Sequence, residues 1–403
     1  MSEIDDAPRF EDVDWSRIDR TRRLATIRRV TWLVGVALVG LLYLYDAVYA
    51  RAYTLGEWRA EPVDWVFLVA VVTLLAYGVV PAIRHRSTVR RIAGEVAAKP
   101  AGKLSLGYLL GFVLVGLLAP VVLSNPGLHF EHAFHPPVGF TSGVTGVECL
   151  GAVTGEVFER RCHGTWAYPL GTNHRGHPMG FLVASGARVA LYVATITAAF
   201  VVPIAATVGV AAGLRGGAID SLLMSYVDVQ LSIPALVVYF IGYTYWGPSL
   251  LVLLAAFGLL SWGGIARLVR SEVLQRRESG HVLVARSLGA SERYLARRHV
   301  LPNVTNTLVP ATFQLLALLV LFEAGVAFLG YHQLETYSWG GIISEGINAE
   351  VGGQMQTRTE HPAYAIWWVS TLPALALTAT TLSLKVVGDE LRDALDPRQG
   401  AER

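Results

Sequence analysis

The sequence predicts an all-α integral membrane protein with about eight transmembrane helices. Of its 403 residues, 53% are hydrophobic and 16% are charged, and the mean hydropathy is +0.45. A soluble domain usually carries about 25% charged residues. Apolar stretches about 20 residues long, the length that an α-helix needs to cross the hydrocarbon core, recur along the chain. Composition and stretch length together therefore indicate a membrane protein.

Eight apolar stretches define the predicted spans. Two of them contain a proline, Pro203 in the fourth and Pro234 in the fifth. A membrane helix tolerates such a residue when its neighbours satisfy the freed backbone groups. The spans are residues 30–49, 64–83, 104–123, 186–213, 220–244, 249–268, 306–329 and 364–387.

Arginine and lysine predict the orientation, because cytoplasmic loops carry an excess of them. They concentrate before the first span, between the second and third spans, and between the sixth and seventh spans. They are sparse for their length in the connections 124–185 and 330–363. We therefore expect a multi-pass protein of the cell membrane with both termini in the cytoplasm and these two connections outside. The N-terminus, where an arginine cluster follows mixed charge, does not predict a removable signal peptide.

A basic segment between the sixth and seventh spans, residues 278–303, predicts a helix–turn–helix. Good helix formers lie on both sides of Gly289, which permits a change of direction, and Ser291 is placed to cap the second helix. Val282, Ala285 and Gly289 share one side at helical spacing, where small side chains allow another surface to approach closely. The alternative is a solvated basic loop that obeys the orientation rule.

The stretch "ARSLGASERYLARRHVLPN", residues 285–303, resembles the coupling loop of ABC-importer permeases. The resemblance rests on Ala285, Gly289, Leu301 and Pro302, and the proline also predicts a boundary before the next span. In that family the short helix before the glycine docks in a groove on the ATP-hydrolysing subunit. The resemblance therefore implies that this helix is a docking element.

The match to this loop has one departure from the general pattern. Leu283 and Val284 stand where the pattern has Glu and Ala, which removes any salt bridge of the Glu but not the docking role. His299 and Asn303 match the dipeptide/oligopeptide branch of the family. The residues that the resemblance assigns to docking are His281, Val282, Leu283, Ala285, Arg286, Leu288, Gly289, Ala290 and Ser291.

Further motifs resemble the second permease chain of dipeptide, oligopeptide and nickel importers, over roughly residues 169–398. The stretch "YPLGTNHRGHPMGF" is similar to the entry segment of that family, with Asn173 and His177-Pro178 in place of Asp and Arg-Asp. The stretches "SYVDVQLSIPALVV", "SWGGIARLVRSEVL", "FEAGVAFLG", "SWGGIISEG" and "VVGDELRDALDPR" follow in the family's order. Several motifs in the correct order are far more specific than any one of them.

The resemblance implies a six-helix type I ABC-importer permease core to which an extra N-terminal helix pair is added. The extra pair is either a peripheral hairpin that packs on lipid or a contact site for a partner or lipid. The implied divisions are a cytoplasmic segment, 1–29; the extra hairpin with a basic linker, 30–103; the first core helix, 104–123; an extracellular loop, 124–185; the permease core, 186–393, with its coupling loop at 270–303; and a cytoplasmic tail, 394–403.

The implied function is transport, not catalysis: a permease subunit of an ATP-driven importer that moves di- and oligopeptides by alternating access. The implied partners are a second permease chain, two ATP-binding subunits, an extracellular substrate-binding protein and the lipid bilayer, with no nucleic acid. Because the sequence contains no G-x-x-x-x-G-K-[ST] loop, we expect ATP and Mg²⁺ in the partner subunits and no cofactor in this chain. The alternatives are a nickel or other small-solute importer permease and an ion-coupled secondary transporter.

Among the polar residues inside predicted spans, Asp228, Gln230 and Glu323 are the candidates for a functional role. Acidic groups in hydrocarbon are costly and usually face a partner or a cavity. One interpretation is a proton or ion relay, or a site for the amino end of a peptide. The other is a hydrogen-bonded structural acid at a helix break. The resembling family has acids at both places whatever its cargo, which favours the structural interpretation.

The connection 124–185 contains both cysteines of the chain, Cys149 and Cys162. Exported regions are oxidising enough for disulfides to form and persist. We therefore expect a bridge that staples this loop, and free thiols are the alternative.

The same connection contains a histidine-rich tract. His129, His132 and His135, together with Glu131, offer the imidazole and carboxylate ligands that suit zinc or nickel. Two prolines follow, and no two of these histidines have the i, i+4 spacing that would place them on one face of a helix. A solvated loop or a surface for the binding protein is therefore favoured over a metal site.

Overall fold

The structure, a computed structural model, describes residues 15–50, 60–123, 126–143, 148–156, 160–331, 337–347 and 363–395. Of residues 15–25, and of a few others within helices, it describes only the backbone. Helices dominate, which confirms the predicted class. The α-helices are α1 (Trp15–Tyr45), α2 (Pro62–Leu74), α3 (Val80–Arg84), α4 (Arg86–Ala98), α5 (Pro100–Val122), α6 (Met179–Ile196), α7 (Val202–Arg215), α8 (Gly217–Ser232), α9 (Ala235–Trp246), α10 (Leu250–Leu260), α11 (Gly263–Arg277), α12 (Gly280–Ser287), α13 (Glu292–Leu295), α14 (Leu301–Phe328), α15 (Trp339–Ile347) and α16 (Trp367–Leu395).

Within the described residues, seven helical stretches are long and apolar enough to cross a membrane, and an eighth crossing results if α8 and α9 form one bent span. The predicted number and order of spans are therefore confirmed. The seven stretches are Thr26–Tyr49, Pro62–Arg84, Pro100–Ala119, Met179–Arg215, Leu250–Arg277, Val304–Phe328 and Ala363–Leu395. The fourth begins at Met179 and not near residue 186, because extended backbone at Pro178 opens the helix directly before an apolar run.

The two prolines predicted inside spans have different effects on the backbone. Before Pro203 a π-helical turn, Thr197–Val201, absorbs the lost hydrogen bond, so that α6 and α7 form one continuous span. At Pro234 the helix breaks, and α8 and α9 meet at an angle of 71°. Ile233, the residue before this proline, has extended backbone, as steric clash with a proline ring favours.

The chain divides into two compact units, and the boundary lies between Arg90 and Arg91, within α4. The predicted boundary between the extra hairpin and the core is residue 103. The observed division therefore falls inside the predicted basic linker, which is helical because it contains α4.

Within the first unit, the contacts between α1 and α2 include a hydrogen bond and a close approach of the two backbones. Trp32 Nε1 donates to Thr73 Oγ1 at 3.1 Å. A Cβ on Gly35 would lie 2.5 Å from a methyl group of Val72, so glycine is needed for this approach. Other faces of the pair are apolar and exposed, as at Leu41, which is typical of helices that contact lipid.

In the second unit, α7 packs against α11 with two glycines at the contact. A Cβ on Gly209 would lie 2.5 Å from the carbonyl oxygen of Ala266, and one on Gly213 would lie 2.7 Å from Val273 Cβ. Small residues let helix backbones approach closely, and van der Waals packing of this kind drives helix association in lipid. Because α11 leads directly into α12, the contact with α7 also fixes the position at which α12 begins.

The connection between α5 and α6, named here the α5–α6 loop (residues 126–178), contains a small antiparallel sheet. Strands β1 (Thr141–Ser142) and β2 (Val153–Thr154) both pair with the central β3 (Arg161–His163). Cys149 and Cys162 form a disulfide with their Cα atoms 5.7 Å apart, which confirms the predicted bridge. The bridge ties the central strand to the chain that precedes β2.

Candidate functional site

The connection between α11 and α14, named here the α11–α14 segment (residues 278–300), is a helix–turn–helix, as predicted. Its first helix, α12, ends in a Schellman motif, in which Ala290 N–H donates to the carbonyl of Ala285 at 3.1 Å and Gly289 N–H donates to that of Arg286 at 3.0 Å. Gly289 has a φ of +83°, a left-handed conformation that other residues adopt only with strain. The glycine therefore sets the change of direction.

The second helix of the segment begins at Glu292. Ser291 Oγ accepts a hydrogen bond from the N–H of Tyr294 at 3.3 Å, so Ser291 caps this helix as predicted. A π-helical turn, Ala296–Val300, joins α13 to α14. The boundary predicted at Pro302 is thus a change from π-helical to α-helical turns and not a break, because a proline in the first helical turn loses no hydrogen bond.

The segment turns one apolar face inward and another outward. Val282 and Leu295 are each 1% exposed and anchor the segment to the rest of the unit. On the other side, Leu283 and Val284 are 51% and 59% exposed, and Leu288 is 83% exposed. These three side chains form what we call the apolar ridge. A ridge of this kind on a capped, anchored helix is a surface suited to docking.

The structure divides the residues that the sequence predicts to dock. Leu283, Arg286, Leu288, Gly289 and Ser291 are exposed, and Ala285 and Ala290 are half-buried. Val282 differs from the prediction, because its side chain lies on the inward face of α12 and supports the ridge from beneath. The backbone of His281 lies in α12, and its side chain is outside the described residues.

Ion pairs connect the segment and its base to neighbouring helices. Arg215, the last residue of α7, contacts Glu292 at 3.1 Å. Arg270 in α11 donates one hydrogen bond to each carboxylate oxygen of Asp220, both at 2.5 Å. Arg277, also in α11, donates to the carbonyl of Gly213 at 3.3 Å. From the sequence, Arg270 and Arg277 were predicted only as orientation signals, and no role was predicted for Arg215 or Asp220.

Asp228, Gln230 and Glu323, the candidate polar residues inside spans, each have a partner. Asp228 forms an ion pair with Arg267, and the two side chains are 61% and 49% exposed in this chain. Gln230 is buried and its Nε2 donates to the carbonyl of Leu259. Glu323 is buried and hydrogen-bonded to Ser338. Sequence reasoning missed both side-chain partners, Arg267 and Ser338.

Two stretches that resemble the permease family meet in space. Asn173 Nδ2 donates to Glu345 Oε2 at 3.3 Å, and the backbone N–H of His174 donates to the other oxygen of Glu345 at 3.1 Å. The ring of His174 also contacts this carboxylate. Glu345 lies in α15, in the stretch "SWGGIISEG". The entry segment is thus tied to α15, and Trp339 adds a bond from its Nε1 to the carbonyl of Val183 at 2.9 Å.

The histidines of the α5–α6 loop separate into different environments. Ligand atoms of His129, Glu131 and His132 lie within 4.8 Å of one another. His135 is buried apart from them, with Nε2 3.8 Å from Cys162 Sγ. Burial lowers the pKa of His135 and likewise the pKa of His177, so both rings are neutral at neutral pH.

Comparison with known proteins identifies the chain's relatives. The family model described as "Binding-protein-dependent transport system inner membrane component" matches residues 205–400, which include the α11–α14 segment. The dipeptide transport system permease protein DppC of Bacillus subtilis is 30% identical over 57% of this chain and 68% of the relative. The oligopeptide transport system permease proteins OppC of Haemophilus influenzae and Escherichia coli K12 are 30% and 31% identical over 57% of this chain, and over 70% and 72% of the relatives.

These matches confirm the resemblance predicted from the motifs. The relatives are aligned over more than two thirds of their own length, and the family model covers α8 to α16. It does not reach the first unit or the α5–α6 loop. The chain belongs to the family of binding-protein-dependent transport system inner membrane components, where its relatives are permease proteins of dipeptide and oligopeptide transport systems.

Proposed function

We propose that this chain is the permease subunit of an ATP-driven importer that carries di- and oligopeptides across the cell membrane. The observation that carries the proposal is the apolar ridge of Leu283, Val284 and Leu288 on a helix between two spans. Contiguous large apolar side chains on a surface rimmed by charge usually mark a contact with another protein. The names of the relatives support peptides as the cargo.

The partner at the ridge is an ATP-binding subunit, which holds the ATP and Mg²⁺ that this chain has no motif to bind. An apolar centre surrounded by charged groups, here the exposed Arg286 and Arg298, has the anatomy of a protein interface. The excess of arginine in the flanks supports a cytoplasmic location for this segment and for both chain termini. A matching groove on the ATP-binding subunit would be apolar with an acidic rim.

The ridge is placed to pass motion to the spans. α12 follows α11 after two residues and leads through α13 into α14. α11 packs on α7, and α14 packs on α15 and α16. Closure of two ATP-binding subunits would displace the ridge and move these helices as rigid bodies, which exposes the peptide path to each side of the membrane in turn.

A second permease chain covers the region around Asp228 and Arg267. In the isolated chain, the side chains of Asp228 and Arg267 are 61% and 49% exposed. Charged groups within a span face lipid only at a large free-energy penalty, so another protein surface is expected to cover them. The surrounding face of α8 and α9 is apolar, with Leu222, Val229 and Trp246 exposed. An extracellular substrate-binding protein would deliver the peptide from the other side, where the α5–α6 loop lies.

The alternatives are less well supported. A nickel or other small-solute importer would share the same machinery, but the relatives' names do not favour it. An ion-coupled secondary transporter needs titratable groups that take up and release ions, whereas Glu323 and Asp228 are engaged by Ser338 and Arg267. Their hydrogen bonds favour the structural interpretation of these acids.

Peptide uptake by cells that carry Leu288→Asp or Leu283→Asp tests the proposal. A carboxylate buried in an apolar groove without a partner costs about 2–5 kcal/mol, so we expect uptake of a labelled dipeptide to fall at least tenfold. The control is Val89→Asp, an equally abrupt change at an exposed valine of α4, with uptake unchanged.

Two results would contradict the proposal. Unchanged uptake in both ridge variants, with the protein present at normal levels, would exclude docking at the ridge. Uptake that stops with a protonophore while ATP is kept constant would favour the secondary transporter.

A further inference from the structure

We propose that the α5–α6 loop contains a divalent-cation site formed by His129, Glu131 and His132, with Zn²⁺ as the ion that fits it best. One ligand atom from each residue lies within 4.8 Å of the others. None of the three takes part in the transport mechanism proposed above, so the inference is independent of it.

The local backbone brings the two imidazoles together. Phe130–His132 form a single 3₁₀ turn, and His129 is the residue that precedes it. His132 N–H donates to the carbonyl of His129 at 2.9 Å, and this i, i+3 bond closes the turn and brings the two residues close together. Their ring centroids are 6.0 Å apart. The tract lacks an i, i+4 frame, but this i, i+3 turn provides the convergence that a metal site requires.

Glu131 completes the cluster from the same turn. Its Oε1 lies 2.9 Å from His129 Nδ1. The side chains of His129 and Glu131 are each 46% exposed, so an ion has access and water has room to fill the remaining coordination positions. Two imidazoles and one carboxylate are the donor set of an open, three-ligand zinc site.

A hydrogen bond outside the cluster orients the second imidazole. His132 Nδ1 lies 3.0 Å from the hydroxyl of Tyr168. Because that nitrogen is engaged, Nε2 is the one left to bind a metal ion. Metal-binding histidines almost always have their second nitrogen held in this way, and such partners raise affinity by fixing the ring.

The turn itself is anchored at both ends to the chain that precedes α6. His129 N–H donates to the carbonyl of Arg175 at 3.0 Å. Thr172 Oγ1 donates to the carbonyl of His132 at 2.6 Å. A Cβ on Gly176 would lie 2.0 Å from the carbonyl oxygen of His129, so the two stretches are in direct contact. The ligands are therefore held in place before an ion binds, which lowers the entropic penalty of binding.

The donor atoms decide the class of ion. Ca²⁺ and Mg²⁺ prefer sites built from oxygen atoms alone, which two imidazoles do not provide. Imidazole with one carboxylate suits Zn²⁺, and Ni²⁺ and Cu²⁺ bind the same donors. His135, which the sequence grouped with this tract, is not a ligand, because it is buried beside the disulfide and its Nδ1 is bonded to the carbonyl of Pro136.

Zinc binding to the purified, untagged, disulfide-intact chain tests the site. After treatment with a chelator and its removal, calorimetric titration with Zn²⁺ should show one ion per chain. His132→Ala and Glu131→Gln should each weaken binding at least tenfold, and Tyr168→Phe should weaken it about tenfold through the lost orienting bond. His85→Ala, at an exposed histidine in the first unit, is the matched control and should bind like the parent chain.

Visible absorption of the Co²⁺-loaded chain provides a second readout. Absorption bands of a low-coordinate Co²⁺ ion should appear with the parent chain and with His85→Ala, and be absent with His132→Ala. Absence of Zn²⁺ binding in the parent chain, or binding in Glu131→Gln and His132→Ala as strong as in the parent chain, would overturn the proposal. Neither readout depends on peptide uptake, so failure of the site and failure of the transport proposal are distinguishable.

Discussion

The α5–α6 loop and the α11–α14 segment both connect membrane spans, but they are built in opposite ways. The loop is closed by a disulfide, buries the rings of His135 and His177, and uses side chains such as Thr172 to bond its own backbone. The segment is held by its caps, by two buried side chains and by an exposed ion pair to α7, and it leaves Leu288 83% exposed. The loop therefore owes its shape to a covalent bond and to buried polar groups, whereas the segment depends on weaker and partly exposed contacts.

The largest effect that this comparison predicts is the loss of the disulfide. The bridge joins residues separated by 13 positions, and closing a loop of that length stabilises the folded state by about 3 kcal/mol. In the variant Cys149→Ser/Cys162→Ser, we therefore expect the amide protection of β3 to fall about 100-fold. Hydrogen exchange measured by mass spectrometry reports this directly.

The same experiment contains its own control. Amides of α12 should exchange at unchanged rates, because the disulfide closes only the α5–α6 loop. Equal loss of protection in both regions would mean that the bridge stabilises the whole unit and that the two connections are not independent.

The sequence predicted the features that depend on local pattern. Apolar stretch length predicted the spans, and glycine and serine chemistry predicted the turn at Gly289 and the cap at Ser291. Two cysteines in a loop that was expected to be exported predicted the bridge. Each of these depends on a short window of chain or on composition. For that reason, each was accessible without a structure.

Features that depend on contacts between distant residues were not accessible. The partner of Asp228 is 39 positions away, and the carboxylate that binds His174 is 171 positions away. The inward orientation of Val282 depends on which side of α12 faces the protein, and eight residues of helix do not reveal it. The convergence of His129 and His132 depends on one 3₁₀ turn, which is too short to leave a periodic signal.

A matched pair of glycine substitutions sharpens the comparison further. Gly289→Ala places a side chain at φ +83°, which costs about 1–2 kcal/mol, whereas Gly94→Ala, at an open position in helix α4, should stabilise by about 0.5–1 kcal/mol. We expect faster amide exchange in α12 for the first variant and slower exchange in α4 for the second. If amides of α12 exchange in Gly289→Ala at the same rate as in the parent chain, Gly289 does not hold the turn.

The smallest effect is predicted for the ion pair between Arg215 and Glu292, which connects α7 to the second helix of the segment. Both side chains are about half exposed, at 54% and 50%, so solvent and salt screen the attraction and the pair contributes about 0–1 kcal/mol. A double-mutant cycle with Arg215→Ala and Glu292→Ala, followed by amide exchange in α13, should give a coupling energy in that range that disappears at about 1 M salt. A coupling energy above about 2 kcal/mol would mean that the segment is clamped to α7 as firmly as the α5–α6 loop is clamped to itself. A segment bound that strongly to α7 would resist displacement by the proposed ATP-binding subunit. A weak ion pair would keep the segment in position at rest and would break when that subunit moves.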